Sequence, residues 1–125
     1  MANYVVLYKF TADGAKDIRG TVKRAGRIRQ ENARRGFKVH DVFWTQGPYD
    51  MVAIVEAPSE EAMMGAMLNV ASAGNVTSTT MRAYDATEMS RILAQTPAVA
   101  EAPAPAARGN GRKTAAAVAG TRKRA

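Results

Sequence analysis

The residues best equipped for chemistry sit in the middle of the chain. His40 is the one histidine and is followed by Asp41, a pairing that suits general acid–base work or proton relay. Adjacent residues on a strand point to opposite faces, so Asp41 is poorly placed to orient the ring, and a surface or interface histidine is the plainer reading. Trp44 and Gly47-Pro48-Tyr49-Asp50 follow, offering an indole, a phenol and a carboxylate to a ligand. Turn chemistry accounts for three of them: Gly permits unusual φ, Pro fixes φ, and Asp bonds local amides. Trp44, Tyr49, Asp50 and His40 are the candidate ligand-binding residues, and no catalytic residue stands out. Met63, Met64 and Met67 read as core filler rather than soft-metal ligands. With no cysteine and a single histidine, thiolate zinc, iron–sulfur and cysteine-nucleophile chemistry are excluded, and neither a metal nor a cofactor is expected. Glu60-Glu61 is explained by helix capping rather than by paired-carboxylate catalysis, and there is no Gly-rich phosphate loop or nucleophile elbow.

The elements that must position these residues follow the order β-α-β-β-α-β. Residues 3–10 form an apolar, β-branched and aromatic run of strand length, closed by the turn-prone Thr11-Ala12-Asp13-Gly14. Ile18, Val22, Ala25 and Ile28 then recur near a 3.6-residue period up to Arg35, and Gly36 supplies the stop. Gly20-Thr21 breaks this segment, with Thr21 as N-cap, so the main helix begins near Thr21. Residues 37–45 and 51–56 are two strands joined by Gln46-Gly47-Pro48-Tyr49-Asp50, hence antiparallel. Ser59 caps a helix whose apolar stripe is Met63, Ala66, Met67, Val70 and Ala71, ended by Gly74-Asn75. Residues 76–84 form the fourth strand, and Met89, Ile92 and Leu93 mark a short last helix.

This order is that of an α+β ferredoxin-like βαββαβ sandwich with a four-stranded antiparallel sheet, the first and third strands central. Residues 4–8 and 51–55 are apolar on both faces, whereas 38–41 and 77–80 are mixed, as edge strands are. Both helices cover one face, so the other needs a second layer. A homodimer through sheet faces, associating like a dimeric α/β barrel, is the expectation.

The chain has 125 residues, about one domain, and a formal charge of +7. Beyond Thr96 it contains no aromatic, Leu, Ile or Met, so residues 97–125 read as a disordered Ala/Pro/basic tail on a domain of residues 1–96. Arg108, Arg112, Lys113, Arg122, Lys123 and Arg124 against Glu101 give the tail +5, leaving +2 on the domain. Those six cations suit weak, salt-sensitive nucleic-acid association. The basic residues of 16–35 read as a solvated helix face. No apolar run spans a bilayer and the N-terminus lacks a basic signal region, so a cytoplasmic protein without a membrane partner is expected.

Residues 44–58, Trp-Thr-Gln-Gly-Pro-Tyr-Asp-Met-Val-Ala-Ile-Val-Glu-Ala-Pro, resemble the signature of the GYD-domain family. Tyr4-Val5-Val6-Leu7, Gly74-Asn75-Val76, residues 80–84 and Glu88-Met89 resemble it too. The resemblance implies a small ferredoxin-like domain related in shape to dimeric α/β-barrel proteins, with an undefined biochemical role. Only Gly47, Tyr49 and Asp50 match the name-giving motif, and the family attaches no catalytic role to them. The function expected is a small oligomeric module binding a small ligand or partner protein. One alternative is a cofactor-free isomerase or monooxygenase-type enzyme of the dimeric α/β-barrel kind, with a pocket lined by Tyr4, Tyr8, Trp44, Tyr49 and Tyr84. The other is nucleic-acid association through the tail.

Overall fold

The computed structural model describes residues 1–98; the rest of the tail, with its six basic residues, lies outside the described residues. Met1–Ser90 forms one compact unit. Four strands, β1 (Ala2–Phe10), β2 (Lys38–Trp44), β3 (Met51–Ala57) and β4 (Val76–Ala83), form one sheet in the order β2-β3-β1-β4. Every neighbouring pair is antiparallel, so the ferredoxin-like α+β architecture is present with β1 and β3 at the centre.

Alternation on the central strands separates two sheet faces. On β3, Met51, Ala53, Val55 and Ala57 are buried while Val52, Ile54 and Glu56 between them are only partly covered. On β1, Tyr4 and Val6 are buried, and Val6 is fully enclosed. All of these buried residues except Met51 join Phe37, Met63 and Ala66 in one core. The opposite face carries Val5 and Leu7 of β1 beside Val52 and Ile54 of β3, and is flanked by Phe43 at 56% and Met81 at 44% exposure.

The first connection is more helical than its composition suggests. Thr11-Ala12-Asp13-Gly14, expected as a turn, instead opens α1 (Ala12–Lys16). Thr11 is extended, accepts the Gly14 N–H at 3.2 Å, and donates its own hydroxyl to the Gly74 carbonyl at 2.6 Å. The capping bond and the tie to Gly74 hold this short turn in place. A 3₁₀ turn (Ile18–Gly20) follows, then α2 (Thr21–Arg34). Thr21 does not cap this helix: its φ of −61° and ψ of −42° are already helical, and Gly20 takes the cap position with no side-chain bond. The Thr21 hydroxyl accepts from Trp44 Nε1 at 3.1 Å instead.

Helix α3 (Glu60–Ala73) starts at Ser59, whose hydroxyl accepts the Ala62 N–H at 3.0 Å, and stops at Gly74 in the left-handed region with φ 79°. Glu60 and Glu61 lie in its first turn, where carboxylates favour the helix dipole. Its buried side is Met63 and Ala66, with Ala62 and Met67 packed alongside; Ala71, expected in the stripe, is exposed. The last helix, α4 (Ala86–Gln95), begins with a capping box in which Asp85 Oδ1 accepts the Glu88 N–H at 2.8 Å and Glu88 Oε1 accepts the Asp85 N–H at 3.0 Å. That backbone bond, with Arg82 nearby, holds the Glu88 carboxyl below the usual range.

The edge strand β2 is irregular. Its register against β3 shifts between Val39 and Asp41, so His40 occupies a bulge. None of the helices among the described residues is long and apolar enough to cross a membrane.

Candidate functional site

A cavity of about 120 Å³ opens between α2, α3 and the inner face of the sheet. Two sequence features create it. Helix α2 buries no residue at all, and Val22 of its expected stripe is 66% exposed. The sheet beneath carries the small Ala53 between Met51 and Val55, so side chains from above and below do not meet. Ala25 and Ile28 of α2 line one side, Met63, Ala66 and Val70 of α3 another.

The polar groups around it are few. Arg24 is 15% exposed along its side chain and bonds both the Asp17 carboxylate at 2.7 Å and the Asp17 carbonyl at 3.0 Å. Arg29 donates to the carbonyls of Val39 at 2.6 Å and His40 at 3.3 Å. Thr21, Asn32 and Asn75 complete the polar edge, and the Asn75 backbone carbonyl accepts the Thr11 N–H at 3.0 Å. Tyr8 lines it as well. Burial alone pushes its phenol up to about 12, with no hydrogen bond contributing, so the neutral O–H is a donor without a protein partner among the described residues.

The Tyr8 phenol has a pH consequence. Between pH 10.0 and about 12 the unfolded chain releases this proton and the folded one keeps it, so stability is intact below pH 10 and falls as pH rises. Unfolding measured in urea at pH 8 and 11.5 should show the parent losing about 2 kcal/mol more than Tyr8→Phe across that window. Equal losses in the two proteins would show that the phenol is solvated.

The four candidates read from the sequence stand elsewhere. His40 Nε2 lies 3.2 Å from Glu56 Oε1 on the next strand, so its neighbour is that carboxylate rather than Asp41. Asp50 is consumed by the backbone: its Oδ2 accepts the Phe10 N–H at 2.8 Å, its N–H donates to Tyr8 O at 2.8 Å, and its carbonyl accepts from Thr45 at 2.9 Å. The Tyr49 carbonyl accepts the Thr45 hydroxyl at 2.6 Å, and Lys9 Nζ sits 5.7 Å from the Tyr49 ring centroid. Gly47, between these, has φ 124°, which glycine alone tolerates easily. Trp44 bonds Thr21. None of the four lines the cavity, and of the aromatic set Tyr4, Tyr8, Trp44, Tyr49 and Tyr84 only Tyr8 does. Tyr84 is held instead under Arg82, 4.4 Å from ring centroid to guanidinium. In sequence Arg24 reads as part of a solvated basic face, and its seven-residue separation from Asp17, across Gly20, is the signal of the pair. Among the described residues no group of three or more His, Asp or Glu side chains could hold a metal ion.

The hairpin geometry of Gly47, Tyr49 and Asp50 is the part of the chain that carries its family signature, and the GYD domain model matches residues 4–93. The chain belongs to the GYD domain family. A GYD relative from Thermus thermophilus, named "Glutamine synthetase and cystathionine beta-lyase binding protein", is 33% identical over 90 residues, covering 71% of this chain and 95% of that protein. The solved structure of MtbAldR has the same fold as this GYD domain, with a TM-score of 0.54 at 18% identity. The match takes in 67% of this chain and 52% of that one, so this chain spans about half of that protein's length.

Proposed function

We infer that this GYD domain is a non-catalytic, partner-binding module that assembles with a second copy of itself and docks on a metabolic enzyme. The observation that carries the reading is the Thermus relative, named for binding two enzymes and matched over nearly its whole length. Two structural features support it. Asp50 and Tyr49 of the family motif serve the hairpin, so the motif is accounted for as scaffold rather than as machinery. The outer sheet face presents Val5, Leu7, Val52 and Ile54 with exposed Phe43 and Met81, an apolar surface of the kind that marks protein contacts. A two-fold pairing of that face brings the same residues together from both copies.

Native mass spectrometry of the full chain should show a dimer or a larger even assembly, and Ile54→Lys should shift it to monomer. A parent that is monomeric at micromolar concentration would sink the self-association. Binding is read separately, by calorimetry against purified glutamine synthetase and cystathionine β-lyase from the same organism. Micromolar or tighter association with either supports the module. Absence of heat with both enzymes overturns it.

A further inference from the structure

We propose that the solvent face of α2, with Trp44 of β2 beside its first turn, is the surface through which this domain grips an acidic patch on its partner enzyme. The inference rests on the partner-binding reading and adds to it where contact is made and what chemistry the partner must present.

Helix α2 has 14 residues and none of them is buried. Helices in folded proteins draw most of their stability from packing an amphipathic face, so one that buries nothing leaves its side chains available to an outside contact. Lys23, Arg27 and Arg34 stand at i, i+4 and i+11, within about 40° of one another around the helix, in an exposed row roughly 16 Å long. Neither Lys23 nor Arg34 enters an ion pair with another described residue, and Arg27 is only loosely matched to Glu31 at 4.0 Å. The charge is also concentrated here. Residues 12–36 hold eight basic and three acidic residues, a balance of +5, whereas the rest of residues 1–96 holds four basic and seven acidic, a balance of −3. A domain polarised in this way is steered toward a surface of negative potential and oriented on it.

An apolar anchor adjoins the row. Trp44 is 42% exposed, yet its Nε1 donates to the Thr21 hydroxyl at 3.1 Å, so the ring is held in place before a partner arrives. Val22, the residue after Thr21, is exposed too. Tryptophan and arginine are the residues that dominate the energetics of protein contacts. The same mixture decides between two classes of anionic partner. A phosphate backbone gains nothing from Val22, a single ring offers no stacking ladder to successive bases, and the carboxylates of Asp17 and Glu31 among the cations repel it. An acidic protein surface with an apolar recess satisfies both halves. Pairing through the outer sheet face leaves α2, which lies over the inner face, uncovered in each copy, so a dimer presents this surface twice.

The probes are purified glutamine synthetase and cystathionine β-lyase from the same organism, titrated with the full chain in a calorimeter. Whichever enzyme binds the parent should be held at least about tenfold less tightly by the double variant Lys23→Glu/Arg27→Glu and by Trp44→Ala. Both charge positions face solvent, so circular dichroism should show the double variant folded even where Trp44→Ala is not. Lys23→Glu alone should cost about fivefold, whereas Lys9→Glu, the same reversal at an exposed position of β1, should stay within about twofold of the parent. Titration with duplex DNA compares proteins that share one tail, and the double variant should lose less affinity for DNA than for the enzyme. The docking surface is overturned, with the partner-binding reading left standing, if the parent binds an enzyme and the double variant binds it equally well. An equal loss from Lys9→Glu and Lys23→Glu, or a loss confined to DNA, overturns it in the same way. A parent that binds neither enzyme removes both readings together.

Discussion

Alanine at Gly14 should lower the stability of the domain by about 3 kcal/mol, although alanine is the better helix former by up to about 1 kcal/mol. Gly14 is buried in α1, and an added Cβ would stand 2.0 Å from the Asn75 carbonyl oxygen and 3.0 Å from its carbonyl carbon. Neither is the far end of a flexible side chain. The Asn75 carbonyl accepts the Thr11 N–H, and the adjoining Gly74 carbonyl accepts the Thr11 hydroxyl. Relief therefore means parting α1 from the α3–β4 turn and weakening both bonds, each worth about 1 kcal/mol, on top of the strain itself. For a domain of this size that corresponds to a fall in melting temperature of roughly 10–20 °C, readable by circular dichroism. A melting temperature equal to the parent's would mean that the two segments separate freely.

The second large effect falls on the family motif. Asp50→Ala removes the acceptor of the Phe10 N–H, a charged bond at 2.8 Å linking the β2–β3 hairpin to the end of β1. Bonds of this kind contribute about 1.5–3 kcal/mol, and the amide left behind is partly buried, so a loss of about 2 kcal/mol is expected. Asp50→Asn keeps an acceptor oxygen and should recover more than half of the difference. The pattern distinguishes scaffold from catalyst, because a general base would be disabled by Asn with little change in stability. Urea midpoints for the two variants provide the readout; an Asp50→Ala protein as stable as the parent would remove the structural role.

The element order, the central placement of β1 and β3, and the break at Gly20 were legible in the sequence because each depends on local pattern: β-branched alternation, turn residues, and a glycine inside a helical period. The segment 11–16 was not, since its helix is fixed by Thr11 reaching Gly74 and Asn75, residues some 63 positions away in the chain. His40 shows the same limit. Strict alternation describes a regular strand, and the bulge that sets it beside Glu56 is a property of the β2–β3 register. The cavity was the least legible feature. Ala25, Ile28 and Val70 read as ordinary stripe residues, and whether opposing stripes interlock depends on helix-to-sheet spacing, which periodicity does not encode. The spare hydroxyl of Tyr8 was hidden for a related reason: a strand tyrosine looks the same in sequence whether or not its O–H finds a partner.

The bulge in β2 also makes the two borders of the sheet unequal. β4 runs in unbroken register beside β1 from Val76 to Ala83, whereas β2 is interrupted at His40 and opens on the cationic Lys38. Fibrous growth by strand addition needs a regular border at both ends of every subunit, so that each copy receives one neighbour and recruits the next. Here the only unbroken border is β4, and two copies joined along it would use up each other's growth point. Copies joined edge to edge along β4 would turn only bulged β2 borders outward, an arrangement that disfavours lateral growth into filaments.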